Sequence, residues 1–218
     1  MLLAVDTSSS QLGLALYDGA QVIAELMWTS RARHTVELAP ALAELFQRTG
    51  VKMDAVRALG VALGPGSFTS LRVGLAFVKG LALARNLPLI GIQTLDLVAA
   101  SQPPTGLPLA AVVPAGRVRL AVGWYHTVGL ARKADGSPMP LTAEALSESI
   151  AESTLVCGEM SAGERQVFQK NSFVTLSSPA QCVRRPGLLA ELAYARWQAG
   201  ESDDIAALAP IYLHTIEA

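Results

Sequence analysis

The 218-residue sequence is short of most of the features that mark specialised protein classes. Cysteine is scarce: Cys157 and Cys182 are too few for a disulfide framework and lack the spacing of zinc ligands. Histidine is scarce too, and His34, His126 and His214 stand too far apart to pair as ligands, so they read as surface or hydrogen-bonded side chains. Charge of one sign is missing. With 17 Lys and Arg against 18 Asp and Glu, the formal net charge is -1, which argues against strong autonomous binding to RNA or DNA, because neutralising phosphates takes an excess of cations. No apolar run reaches transmembrane length, and MLLAVDTSSS places Asp6 where a signal peptide needs its apolar stretch to continue. The expectation is a cytoplasmic protein with no membrane contact. Apolar residues are plentiful: at 51% hydrophobic the chain can bury a sizeable core, in one domain or two small ones, and disorder is excluded as its main state.

Three strands open the chain, Leu2 to Val5, Gln11 to Tyr17 and Gln21 to Trp28, joined by DTSSS and Asp18-Gly19. A helix over Thr35 to Thr49 closes at Gly50, a strand runs from Ala58 to Leu63, and a long helix from Ser67 to Arg85. A strand at Leu89 to Ile92 leads into a short helix near Leu95 to Ala100. The order is βββαβαβα. SQPPTGLP, Ser101 to Pro108, reads as a linker, after which the order begins again: a strand, a PAGR turn, a long strand through Trp124 and Tyr125, and a third near Val128 to Arg132. Helix and strand signals follow at Thr142 to Ile150, Thr154 to Cys157, Ser161 to Gln169, Phe173 to Leu176 and Pro186 to Ala199. A duplicated βββαβαβα unit is the layout of the two-lobed actin and Hsp70 superfold, with ribonuclease-H-like lobes. The expected fold is therefore α/β, with a first lobe over 1–100 and a divergent second lobe over 101–218.

Five stretches, AVDTSSSQLGLAL, RHTVELAPALAELF, GVALGPGSFTSLRVGLAFVKGLA, PLIGIQTLDLVA and LAPIYLH, together resemble the TsaB family, also called YeaZ. The likeness is dense over Met1 to Ala100, thin in the second lobe, and returns in the last ten residues. It implies an accessory subunit of the bacterial machinery that places threonylcarbamoyl on the adenosine beside the tRNA anticodon. The wider family includes the catalytic paralogue TsaD, which carries a His-x-x-x-His metal pair after the strand that follows the long helix. In GIQTLDLV those positions hold Thr94 and Val98, so the resemblance implies neither metal nor other cofactor here.

Nucleotide chemistry has a candidate set in Asp6, Thr7, Ser8, Gly64, Gly66 and Ser67. Two glycines allow close backbone approach, and a helix starting at Ser67 directs N–H groups outward. GPGS lacks the Lys-Ser/Thr of a P-loop, and a strand-to-helix turn with Ser67 as N-cap accounts for every residue. Asp6 likewise reads as a turn residue that accepts from backbone N–H groups. Actin-like ATPases use a carboxylate in each lobe; the second turn, Val113-Pro114-Ala115-Gly116, has Pro114 there, where TsaB relatives commonly read Asp-Ala-Arg-Arg. Cys157-Gly158-Glu159, where superfold relatives begin an adenosine-binding turn, offers a single glycine.

The two long helices each show two apolar rows where a helix lying on a sheet needs one. The first has Leu38, Leu42 and Leu45, then Val36, Ala39, Ala43 and Phe46; the second has Leu71, Leu75, Val78 and Ala82, then Val73, Phe77, Gly80 and Ala84. Either the spare rows pack against each other or they dock a partner. In TsaB relatives these helices contact TsaD and form a homodimer. On that resemblance the candidate partner contacts are Leu38, Leu42, Leu45, Val73, Phe77 and Gly80. The expected function is a non-catalytic scaffold for a TsaD-type transferase, with a TsaE-type ATPase and a homodimer as further partners and tRNA reached only through the complex. A small-molecule kinase of the actin-like superfold and a metalloprotease remain as alternatives.

Overall fold

The computed structural model describes residues 1–31, 33–116 and 119–213. The first repeat runs β1 (Leu2–Asp6), β2 (Gln11–Tyr17), β3 (Val22–Thr29), α1 (His34–Thr49), β4 (Ala58–Ala62), α2 (Phe68–Arg85), β5 (Leu89–Ile92) and α3 (Thr94–Ala100). The second runs β6 (Leu109–Pro114), β7 (Leu120–Val128), β8 (Ala131–Ala134), β9 (Met139–Leu141), α4 (Ala143–Ser149), β10 (Thr154–Gly158), α5 (Ala162–Gln169), β11 (Val174–Leu176) and α6 (Pro186–Gln198). β9 and a 3-10 turn at Met53–Ala55 are additions to the expected order; β9 is a three-residue strand with Pro140 at its centre, a weak strand signal. No helix among the described residues is long and apolar enough to cross a membrane.

The two sheets share one strand order. The first is β3-β2-β1-β4-β5 and the second β8-β7-β6-β10-β11, with β9 added beside β7. β1 runs antiparallel to β2 and parallel to β4, and β6 likewise runs antiparallel to β7 and parallel to β10. The first strand of each sheet is thus central and covered on both faces, so LLAVD and LAAVV are buried throughout.

Alternation divides the first sheet between two helical layers. Leu3, Val5, Leu14, Leu16, Leu59 and Val61 join Leu38, Leu42 and Leu45 of α1 and Leu75 and Val78 of α2 in one core. On the other face Gly60 meets α6, where an added Cβ would stand 2.8 Å from that of Ala193. In the second unit, Leu109, Ala111 and Val113 pack with Leu95 and Val98 of α3, while Ala110 and Val112 pack with Leu146 of α4 and Phe168 of α5.

The repeats exchange their last helices, so the compact units differ from the expected division at residue 100. One consists of Met1–Gln93 with Arg185–Ile211, and the other is built on Thr94–Arg184. α3 belongs to the second unit because Leu95, Val98 and Ala99 fill its core; α6 belongs to the first because the Gly60 face of that sheet needs a cover.

Candidate functional site: two turns and an outer helical face

The structure brings the Asp6 and Gly64 turns together within the first unit. Ser67 N–H donates to the Ser8 carbonyl at 2.7 Å, and the Thr7 hydroxyl donates to the Ser70 carbonyl at 2.8 Å. Asp6 Oδ1 accepts from Ser8 N–H at 2.8 Å and from the Ser8 hydroxyl at 2.6 Å, the turn role that the sequence suggests. Asp6, Thr7, Ser8 and Ser9 are all buried. Gly66 has no room for a side chain, since a Cβ would lie 2.1 Å from the Ser8 carbonyl oxygen. Gly64 sits at φ +100, which favours glycine, and the Gly64-Pro65 bond is cis. Ser67 caps α2, its Oγ accepting from Ser70 N–H. The six candidate residues therefore form one knot in which turn and helix start bind each other.

The second-unit turn keeps Pro114 at the end of β6 and Gly116 at φ +92, while Arg117 and Val118 lie outside the described residues. At the two histidine positions of the catalytic paralogue, Thr94 and Val98 are buried. Among the described residues, no three His, Cys, Asp or Glu side chains gather as metal ligands. His34 is buried at the start of α1, His126 contacts Asp135 at 2.5 Å, and His214 lies outside the described residues. Cys157 and Cys182 are buried free thiols, and burial pushes the Cys157 thiol up. Gly158 takes φ +125 with no space for a Cβ, and Glu159 beside it pairs with the buried Arg184 at 2.5 Å.

Asp96, between Thr94 and Val98, belongs to a pair that the sequence did not announce. Asp96 Oδ1 accepts from the Tyr125 hydroxyl at 2.8 Å. Burial raises both groups, the Asp96 carboxyl against the opposing pull of that hydrogen bond, and the Tyr125 phenol with help from the carboxylate beside it.

On the helices, the row of α1 proposed for partner contact is the one that the structure buries: Leu38, Leu42 and Leu45 are core residues. This corrects the sequence choice, and the reason is geometric, because periodicity identifies two rows without saying which meets the sheet. The outward row is Val36, 63% exposed, with Ala39 and Ala43. On α2 the inward row is Leu71, Leu75, Val78 and Ala82. Val73 is half-buried, Phe77 packs partly on the core, and Gly80 is exposed. Phe68 and Leu83, 53% and 70% exposed, extend this outer face and were missed. A signal for Phe68 existed in its place directly after an N-cap serine.

Where α1 and α2 begin, a groove of about 450 Å³ opens between them, lined by Thr35, Phe68, Thr69, Arg72, Val73 and Ala76. The Arg72 guanidinium lies over the Phe68 ring, 3.5 Å from its centroid. Glu37, the acid in the first turn of α1, accepts from the Trp28 indole N–H at 3.0 Å, a bond that holds its carboxyl below the usual range.

Two sheets of one strand order define a duplicated ribonuclease-H-like protein of the actin/Hsp70-like class. YeaZ from Pseudomonas aeruginosa has the same fold, with a TM-score of 0.81 at 25% identity over 97% of this chain and 99% of that one. The family model described as "TsaD: tRNA N6-adenosine threonylcarbamoyltransferase" matches residues 22–189, so the chain belongs to that family, and TsaB (YeaZ) members are among the relatives it is similar to. The tRNA threonylcarbamoyladenosine biosynthesis protein TsaB of Escherichia coli is 35% identical over 98 residues, 45% of this chain and 42% of that protein. TsaB of Bacillus subtilis is 34% identical over 100 residues, 46% of this chain and 44% of that protein. The matched stretch thus spans less than half of either relative.

Proposed function

We propose that the chain is a non-catalytic subunit that supports a TsaD-type threonylcarbamoyl transferase in tRNA adenosine modification, docking through the outer faces of α1 and α2. One observation carries the reading: apolar side chains remain exposed along both helices after their inward rows have filled the core. Val36, Phe68 and Leu83 each leave more than half of their surface in water, and such a surface marks an interaction site. The names borne by the TsaB relatives supply the pathway. What supports a non-catalytic role is the use of Asp6 within its own turn, the proline at position 114, and Thr94 and Val98 where the paralogue has its histidines. Metal and substrate groups then belong to the transferase, and this subunit acts by binding its active arrangement more tightly than other states. A homodimer through the same face competes with that docking, and a TsaE-type ATPase and tRNA join through the complex.

The test is reconstitution with the TsaD-type protein of the same cell. Wild-type chain should bind it and stimulate modification of tRNA, while Val36→Glu and Leu83→Glu should lose both with unchanged melting, because each site is already in water. Asp6→Ala should keep most of the stimulation. The reading fails if both outer-face variants bind and stimulate like wild type.

A further inference from the structure

We infer that Glu37 is a positioning residue of the docking face: bound to the Trp28 indole, it holds the opening turn of α1, and with it Val36, in the orientation that a partner meets. This role rests on the docking reading above and concerns how that surface is kept ready for contact. α1 starts without the device that commonly fixes a helix N-terminus, since Arg33 precedes it at φ -113 and ψ 23 and makes no side-chain cap. An uncapped first turn is prone to fray, because its leading N–H groups have no partner within the helix. Thr35 and Val36 in that turn are exposed. His34 ahead of them is buried, yet among the described residues nothing bonds its Nε2, so it anchors the turn by burial and gives it no bonded direction.

Glu37 supplies the direction. Its Oε2 accepts from the Trp28 indole N–H at 3.0 Å, and Trp28 is itself set in β3 and packed against the first core. The bond is charge-assisted. The indole first, then the Ser30 hydroxyl, and then the nearby His34 and Arg33 hold the Glu37 carboxyl below its usual range against the opposing effect of burial, so it is ionised at neutral pH. The Ser30 Oγ also accepts from the Arg33 N–H at 3.0 Å, which ties the residue before the helix to the end of the same strand. From Leu38 onward α1 is fixed by its inward leucines. The turn before Leu38 has the Trp28 bond instead, and it carries Val36 of the outer row, 63% exposed. A surface ordered before contact spares the complex the entropy of ordering it, so this bond adds affinity without touching the partner.

The experiment titrates the TsaD-type transferase with wild-type chain, Trp28→Phe, Glu37→Ala, Glu37→Gln, the double variant Trp28→Phe with Glu37→Ala, Val36→Glu and Leu83→Glu, and follows amide exchange in the free chains. Trp28→Phe removes the N–H and keeps a ring in the core. It and Glu37→Ala should each weaken binding about fivefold, the size of a lost helix cap, and the double variant should weaken it no more than either alone, as two halves of one contact do. Glu37→Gln keeps an oxygen for the indole and should recover part of the loss. Amides of residues 35–38 should exchange faster in both single variants. Additive losses, or exchange unchanged in Trp28→Phe, would overturn the positioning role. Weakening by Glu37→Ala alone, with Trp28→Phe binding like wild type, would mean that the carboxylate meets the partner directly, and overturns it too. If all the Trp28 and Glu37 variants bind like wild type while either outer-face variant loses binding, the positioning role falls and the docking reading stands. If Val36→Glu and Leu83→Glu bind like wild type as well, the docking reading falls and takes the role with it.

Discussion

Single residues in this chain take their meaning from what they touch. Asp6 stands where an actin-like ATPase keeps a catalytic carboxylate, yet Ser8 occupies Oδ1 from both its N–H and its hydroxyl. Gly66 and Gly74 record the same knot from the other side, because a Cβ at either would lie 2.1 Å from an oxygen of Ser8 or Thr7. Asp96 is a residue whose environment alters its titration. Burial raises its carboxyl above the ordinary 3.8, so the folded protein binds this proton more tightly than the unfolded chain does. The associated stability is complete below the unfolded value and is lost as pH rises through the raised folded one. Asp96→Asn removes the charge and keeps a carbonyl oxygen for the Tyr125 hydroxyl. Its stability advantage over wild type should grow with pH across that window, by at most about 1.4 kcal/mol per pH unit, and then level off. Urea unfolding from about pH 4 to 7 measures it; a difference constant across the series would show that Asp96 does not titrate there.

Among the elements, α1 shows how two apolar rows separate into core and surface. Leu42 is held between α1 and the first sheet, whereas Ala43, one residue on, faces water. Leu42→Glu deletes a buried aliphatic side chain and inserts an unpaired carboxylate, a loss of about 3 kcal/mol or more. It should unfold the chain or lower its melting temperature steeply. Ala43→Glu should change stability by less than about 0.5 kcal/mol. Thermal melts followed by circular dichroism distinguish the two, and a Leu42→Glu variant that melts like wild type would contradict the assignment of rows. On α2 the inner row Leu71, Leu75, Val78 and Ala82 leaves Val73, Gly80 and Leu83 on the outside, along a helix capped by Ser67 and ended by Asn86 at φ 50.

At the scale of the molecule, the consequential feature is the exchange of closing helices. The first sheet is covered on one side by α1 and α2, which lie between its strands in sequence, and on the other by α6, which arrives about a hundred residues later. A fragment of Met1–Ala100 therefore keeps the strands and lacks the helix that seats on Gly60 and Gly13. It should show no cooperative urea transition. Met1–Gln93 joined by a flexible linker to Arg185–Ile211 should show one, since it restores the whole unit. Cooperative unfolding of the shorter fragment would mean that α6 is dispensable to the first sheet.

Local rules alone determined much of this protein. Alternation in LLAVD and QLGLALY, the Gly50 stop, the Ser67 cap and the repeat of βββαβαβ are short-range signals, and they place nearly all the elements and the duplicated fold. The family resemblance made further positions legible: Thr94 and Val98 where the catalytic paralogue has a histidine pair, and Pro114 where actin-like ATPases have an acid. The tertiary structure decided what depends on partners distant in sequence. It chose which helical row meets the sheet, because periodicity is unchanged by rotating a helix about its axis. It gave α3 and α6 to the opposite units, because a closing helix goes where an uncovered sheet face fits it. It also raised Asp96 against Tyr125 and stacked Arg72 on Phe68 at a groove, since burial and side-chain approach exist only once the chain has folded.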